Sequence, residues 1–134
     1  MLIFHPMPCP SPTVLIAEDE EAVKTLAIFA FKAKGYTPLA AGTGEDALAL
    51  WQAHKNEISL LFTDLSMPGQ VSGFDLARQI RSTHPALPII FTSGDVAESL
   101  ADDPTLQQAT RHLLKPYRPS DLLALAATML PAAA

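Results

Sequence analysis

From Thr13 onward, short apolar runs alternate with segments of helical period. TVLIA (13–17) is apolar and β-branched and stops abruptly at EDEE (18–21), the pattern of a strand buried on both faces and ending in charge. EEAVKTLAIFAFKAKG (20–35) follows, with Val23, Leu26, Ala27 and Ala30 at helical spacing and Gly35 as a natural helix stop. YTPLAA (36–41) is a second short strand, which Pro38 places near a sheet edge. Thr43 and Asp46 resemble a capping box ahead of the helix EDALALWQAH (45–54). The unit then repeats. ISLLFTD (58–64) is a strand ending in an acid, MPGQVSG (67–73) a loop, and FDLARQIRS (74–82) a helix with Phe74, Ala77, Gln79 and Ile80 spread over its turns. LPIIFTS (87–93) is a fourth strand, and Asp95 with Glu98 would cap a short helix reaching about Leu100. ATRHLLK (109–115) is the fifth strand. Pro119 and Ser120 open a last helix, DLLALAATML, that ends before Pro131.

Five apolar strands alternating with about five helical segments define an α/β class. Short connections and right-handed βα units predict a parallel, doubly wound sheet with helices on both faces. In such sheets ligands bind beyond the carboxyl ends of the strands, where the strand order reverses.

Composition narrows the class further. A chain of 134 residues is one domain by size, and 49% apolar against 17% charged residues argues against disorder. A net charge of −5 without a dense basic patch argues against direct nucleic-acid binding. No apolar run approaches the roughly 18 residues of a membrane span. Cys9 stands alone and has no internal partner, which fits a reducing, cytoplasmic setting. Residues 1–12 carry Pro6, Pro8, Pro10 and Pro12 and lack the features of a signal peptide, so an extended tail is expected there. The expected domain is 13–131 with no output domain, so that any second activity would belong to another molecule. His5, His54 and His84 show no ligand spacing, which argues against zinc.

The chemistry gathers at the strand ends. The first strand delivers Glu18 and Asp19, the third Asp64, the fourth Thr92 and Ser93, and the fifth Lys115 followed by Pro116. Three converging carboxylates repel one another unless a cation shares the site. Oxygen donors with retained waters suit Mg²⁺. A divalent ion and a lysine around one carboxylate can neutralise phosphoryl oxygens, and a carboxylate can itself accept a phosphoryl group. Asp64, single at the end of the middle strand, is the candidate nucleophile.

VLIAEDE (14–20), LLFTDLSMPG (60–69), SGFDLARQIR (72–81), LPIIFTSG (87–94) and HLLKPY (112–117), in this order, resemble the receiver domain of two-component response regulators over about 13–130. The resemblance implies a flavodoxin-like (βα)5 fold with strand order 2-1-3-4-5. It implies that Asp64 accepts a phosphoryl group from a phosphohistidine on a histidine kinase or histidine phosphotransfer protein. It further implies that Asp19, Asp64, Glu18 and the Ser66 backbone carbonyl bind Mg²⁺, with Glu18 one methylene longer than the aspartate usual there. Lys115 would pair with the phosphoryl group, and the Lys115–Pro116 bond is usually cis in the family. Ser93, followed by the small Gly94, fits the switch hydroxyl better than Thr92. His112, three residues before the lysine, stands where the family usually has Tyr or Phe, and would make the switch sensitive to protonation. Ser66 and Asp95 flank the path of attacking water and would tune phosphate lifetime together with Gly94.

Partners follow from the same resemblance. In the family the first helix docks on the phosphodonor, and Ile28, roughly 140° off the sheet-facing stripe at 100° per residue, would suit that contact if exposed. The last helix, with Leu122, Leu123, Leu125, Ala126, Met129 and Leu130, is broader than one stripe and reads either as deep core or as a homodimer face. A separate downstream protein would read the switched surface. Three other readings are weighed: a receiver-like interaction module that is not phosphorylated, a flavodoxin-like electron carrier, and a phosphatase or phosphotransferase enzyme with an aspartyl nucleophile, which would need a second aspartate just beyond Asp64 where this chain has Ser66. EDEE after the first strand opposes the carrier, because it would repel the phosphate of a flavin.

Overall fold

The computed structural model describes residues 11–95 and 103–130. The strands are β1 (Thr13–Ala17), β2 (Thr37–Ala41), β3 (Ile58–Asp64), β4 (Ile89–Ser93) and β5 (Thr110–Leu114). The helices are α1 (Glu21–Ala33), α2 (Gly44–His54), α3 (Gly73–Thr83) and α4 (Pro119–Met129), with a 3-10 turn at Pro104–Leu106. All strand pairs are parallel and the order is β2-β1-β3-β4-β5. The expected doubly wound topology is therefore present, and the order reverses between β1 and β3.

The continuous apolar runs are divided between two cores by the strand period of two. Leu15, Leu61, Ile89 and Phe91 point to one face, with Trp51 of α2 and Leu76 and Ile80 of α3. Val14, Ile16, Leu60, Phe62 and Ile90 point to the other, with Phe31 of α1 and Leu122 and Ala126 of α4. Leu122 and Ala126 of α4 are thus core, while Leu123, Leu125 and Met129 pack against it only partly buried.

Helix α1 is phased differently from its sequence pattern. Ala27, Ala30 and Phe31 are buried, whereas Leu26 is 44% exposed. The cause is the Phe31 ring, which packs edge-on against Tyr36 and Phe62 with centroids 5.8 and 6.2 Å apart. Phe31 captures the core through these two rings, and Leu26 turns outward. Ile28 is half-buried against the α4 side, so it is not the surface residue expected. The exposed apolar position beyond Leu26 is Phe29, at 67%.

The helix ends follow local chemistry. Thr43 Oγ accepts a hydrogen bond from the Asp46 N–H at 3.1 Å, as its spacing suggested. Only that half of a capping box is formed at α2, whereas Ser72 with Asp75 makes both halves at the start of α3. Gly35, with φ +85°, ends α1 in the left-handed region. The helix expected over 95–100 lies, beyond Asp95, outside the described residues, as does the tail over 1–10.

Arg81, on the last turn of α3, is 2% exposed and has no carboxylate partner among the described residues. Its Nε donates to Leu87 O at 2.7 Å, Nη1 to Thr105 O at 2.8 Å, and Nη2 to Ala109 O and Thr110 Oγ1 at 2.8 and 3.1 Å. One guanidinium thus ties α3 to the 3-10 turn and to the starts of β4 and β5. Burial lowers its pKa, yet donors aimed at carbonyls keep the cation in place. Ala109 has φ +53°, and its carbonyl also accepts from Ile89 N–H at 2.9 Å. The left-handed turn is held from two sides.

Candidate functional site

The carboxyl ends of β1, β3, β4 and β5 meet at one edge of the sheet. Glu18 follows β1 and is fixed by its own N–H donating to Ala41 O at 3.0 Å. Its side chain is buried, while Asp19 beside it is exposed. Asp64 closes β3, 7% exposed, and its Oδ1 accepts from the Ser66 N–H at 3.1 Å. The turn after Asp64 is confined. A Cβ on Gly73 would collide with the Asp64 carbonyl oxygen, so no other residue lets the chain return there. Farther along the same loop, Val71 N–H donates to Glu45 Oε1 at 2.8 Å, which ties the loop to the start of α2.

Lys115 is the hub. Its Nζ lies 2.7 Å from Glu18 Oε1, 2.8 Å from Asp64 Oδ2 and 3.3 Å from Glu20 Oε1. The lysine enters the site because its N–H donates to Ser93 O at 2.8 Å, extending β5 alongside β4. The Lys115–Pro116 bond is cis. Burial alone would lower the Lys115 pKa, but the hydrogen bonds to Asp64 and Glu18 and their negative charges outweigh it and hold the ammonium above the usual lysine range. Burial raises the Glu18 pKa, and this outweighs the bonds from Lys115 and from Glu20 N–H. Burial, with the negative charge of Glu18 adding to it, pushes Tyr117 up to about 12. Its hydroxyl has no hydrogen-bond partner among the described residues, and its ring packs edge-on against Phe62, so it serves as core.

Carboxylate oxygens of Glu18, Asp19 and Asp64 lie within 4.8 Å of one another. A hard cation suits this donor set: all donors are oxygen, two of the three carboxylates are buried, and one lysine does not neutralise three acids.

The two hydroxyls of β4 differ in setting. Thr92 is fully buried and pairs in register with Asp64. Ser93 is half-buried at the strand end, where its Oγ donates to the Asp95 carbonyl and lies 2.7 Å from His112 Nε2 on β5. Burial lowers the His112 pKa. Gly94 borders open space, since an added Cβ would meet nothing within 4 Å. Ser66 and Asp95 are exposed at the rim. The structure therefore groups Glu18, Asp19, Asp64, Ser66 and Lys115, sets Ser93 with His112 beside them, and leaves Ile28 remote in the α1–α4 packing. Glu20 and the Ser93–His112 bond were absent from the sequence expectations. Glu20 sat inside a run already read as charge, and the bond joins two strands 19 residues apart.

Fold and site together define a doubly wound α/β domain with an acidic cluster and one lysine at its topological switch point. The response regulator receiver domain profile matches residues 14–127, and the chain belongs to that family. It is 32% identical over 110 residues to the response regulator receiver protein CpdR of Brucella abortus (strain 2308), covering 82% of this chain and 89% of CpdR. It is 34% identical over 107 residues to the sensor kinase CckA of the same organism, covering 80% of this chain but only 11% of that kinase. The chain thus spans about a tenth of the length of the sensor kinases it matches. A response regulator receiver protein from Pseudomonas putida superposes with a TM-score of 0.75 at 32% identity, over 90% of this chain and 98% of that one. No helix among the described residues is long and apolar enough to cross a membrane.

Proposed function

We propose that the chain is a phosphoacceptor, either acting alone or as the receiver of a hybrid kinase, that takes a phosphoryl group from a phosphohistidine onto Asp64. The observation that carries this reading is the Asp64 carboxylate at the end of the central strand, with Lys115 Nζ at 2.8 Å and two further acids within 4.8 Å. In the transfer an Asp64 oxygen forms the new P–O bond as the P–N bond of the phosphoimidazole breaks. The electron pair returns to the imidazole nitrogen. Lys115, already desolvated and charged, exchanges a carboxylate for a phosphoryl oxygen without losing a partner. Ser93 supplies a hydroxyl to a second phosphoryl oxygen. Glu18, Asp19, Asp64 and the Ser66 carbonyl would hold Mg²⁺, which when bound offsets the charge of the acids and the phosphoryl group. The test is incorporation of hydroxylamine-labile phosphate from acetyl phosphate in the presence of Mg²⁺. A receiver-like module that is not phosphorylated keeps the fold and takes no label.

The donor docks on α1. Leu26 lines a groove with Glu20, Val23, Lys115, Pro116 and Tyr117 that opens beside the site, and Phe29 is exposed on the same helix. An apolar helical face of a phosphohistidine protein fits there. Phe29→Asp is expected to slow transfer from a protein donor by about tenfold or more, the effect of a lost apolar anchor. Labelling by acetyl phosphate stays unchanged, because the small donor needs no docking surface. Equal loss with both donors would mean that α1 had been disturbed instead. Ile28→Asp should give that second pattern, since Ile28 packs against the core.

A further inference from the structure

Ser93 Oγ makes two hydrogen bonds, one to the Asp95 carbonyl and one to His112 Nε2 at 2.7 Å. A hydroxyl carries one proton, and a carbonyl can only accept. The Ser93 proton is therefore committed to Asp95, and the bond to His112 must be made by a proton on Nε2. A neutral ring with Nε2–H and an imidazolium both satisfy this, whereas the tautomer protonated only at Nδ1 does not. Asp64 is meanwhile served by Lys115 Nζ and the Ser66 N–H. The hydroxyl that a phosphoryl group would need is engaged elsewhere, on the β5 side.

We propose that His112 is the positioning residue for Ser93: its Nε2–H holds the hydroxyl oxygen while the Asp95 carbonyl holds the hydroxyl proton, until a phosphoryl oxygen on Asp64 replaces Asp95 as the acceptor. The proposal rests on the phosphoacceptor reading of Asp64. No proton leaves Ser93 in the exchange. Its O–H changes acceptor from carbonyl to phosphoryl oxygen, and the His112 N–H stays on the same oxygen. The imidazole follows the hydroxyl, so β5 is coupled to the site by a directional bond and not by space filling alone. A Tyr or Phe ring at this position offers no ring N–H to do this.

Two measurements test it. In protein with ¹⁵N-labelled histidine, the His112 ring of the unphosphorylated chain is expected to carry its proton on Nε2, with the signal shifting in Ser93→Ala. A ring protonated only at Nδ1, or unmoved by Ser93→Ala, overturns the proposal. In acetyl phosphate labelling, His112→Phe keeps a ring without a donor and is expected to leave the Ser93 oxygen unheld, lowering the rate about fivefold, the effect of one net hydrogen bond lost. His112→Gln restores an N–H donor and brings the rate back to within about twofold of the parent, on the same reasoning. Equal rates for the two variants also overturn it. If the parent chain takes no label, the phosphoacceptor reading fails, and the ring measurement alone decides whether His112 holds Ser93.

Discussion

Asp64→Asn is expected to abolish labelling by acetyl phosphate, with a loss of at least about 100-fold, because the amide has no anionic oxygen to form the acyl phosphate. The substitution is close to isosteric. The amide side chain would keep an oxygen for the Ser66 N–H, and Lys115 would keep Glu18 at 2.7 Å and Glu20 at 3.3 Å. Removing one of three mutually repelling carboxylates also offsets part of the lost ion pair, so stability should change by only about 1 kcal/mol. The fold is thus preserved while the chemistry disappears, and thermal unfolding run beside the labelling separates the two. Withholding divalent cation from the parent chain should also suppress labelling, since Glu18, Asp19 and Asp64 are then left to repel the incoming phosphoryl group. Persistent labelling in Asp64→Asn would sink the assignment of the nucleophile.

The largest effect on stability is expected at Arg81, far from that chemistry. Arg81→Met keeps an apolar stem but removes the donors that satisfy Leu87 O, Thr105 O and Ala109 O. Leu87 O, on a half-buried residue, is left without that donor at a cost of about 1–3 kcal/mol. Ala109 O keeps the Ile89 N–H, and water can reach the exposed Thr105 and Ala109, so the remainder of the cost is the lost tie between α3 and the two strand starts. A net loss of about 3 kcal/mol is expected, a fall in melting temperature of roughly 10 °C for a domain of this size. Arg81→Lys retains the charge, but one ammonium cannot span three loops, so it should recover less than half of the loss. The left-handed turn at Ala109 loses one of its two anchors, so the start of β5 should show the greatest rise in hydrogen exchange. A melting temperature within about 2 °C of the parent, small on the same scale, would show that the carbonyls find other donors.

These two sites mark where reading the sequence succeeds and where it stops. Asp64 was legible because a β-branched run that ends in an acid announces both a strand and what lies at its end. The parallel order then brings such ends together whatever the details of packing. Thr43 and Gly35 were legible because capping and left-handed turns are decided within a few residues. Ser72 with Asp75 carried the same local signal, hidden inside a stretch read as loop. Arg81 looked like an ordinary polar position of an amphipathic helix. Nothing within a few residues of it shows that its partners are the carbonyls of residues 87, 105 and 109. The phase of α1 failed for a related reason. Several faces of that helix are apolar, and the choice among them depended on a pocket lined by Tyr36 and Phe62 that only Phe31 fills.

The sequence by itself determined the alternation of strands and helices, the parallel class, and the set of residues delivered to the strand ends, because periodicity and chain order are properties of the chain alone. Tertiary structure decided how those residues engage one another. It set Lys115 between Glu18 and Asp64, buried Thr92 while turning Ser93 toward His112, and exposed Phe29 in place of Ile28. Each of these joins or weighs elements far apart in the chain, through contacts and burial that exist only once the sheet and its two helical layers have closed.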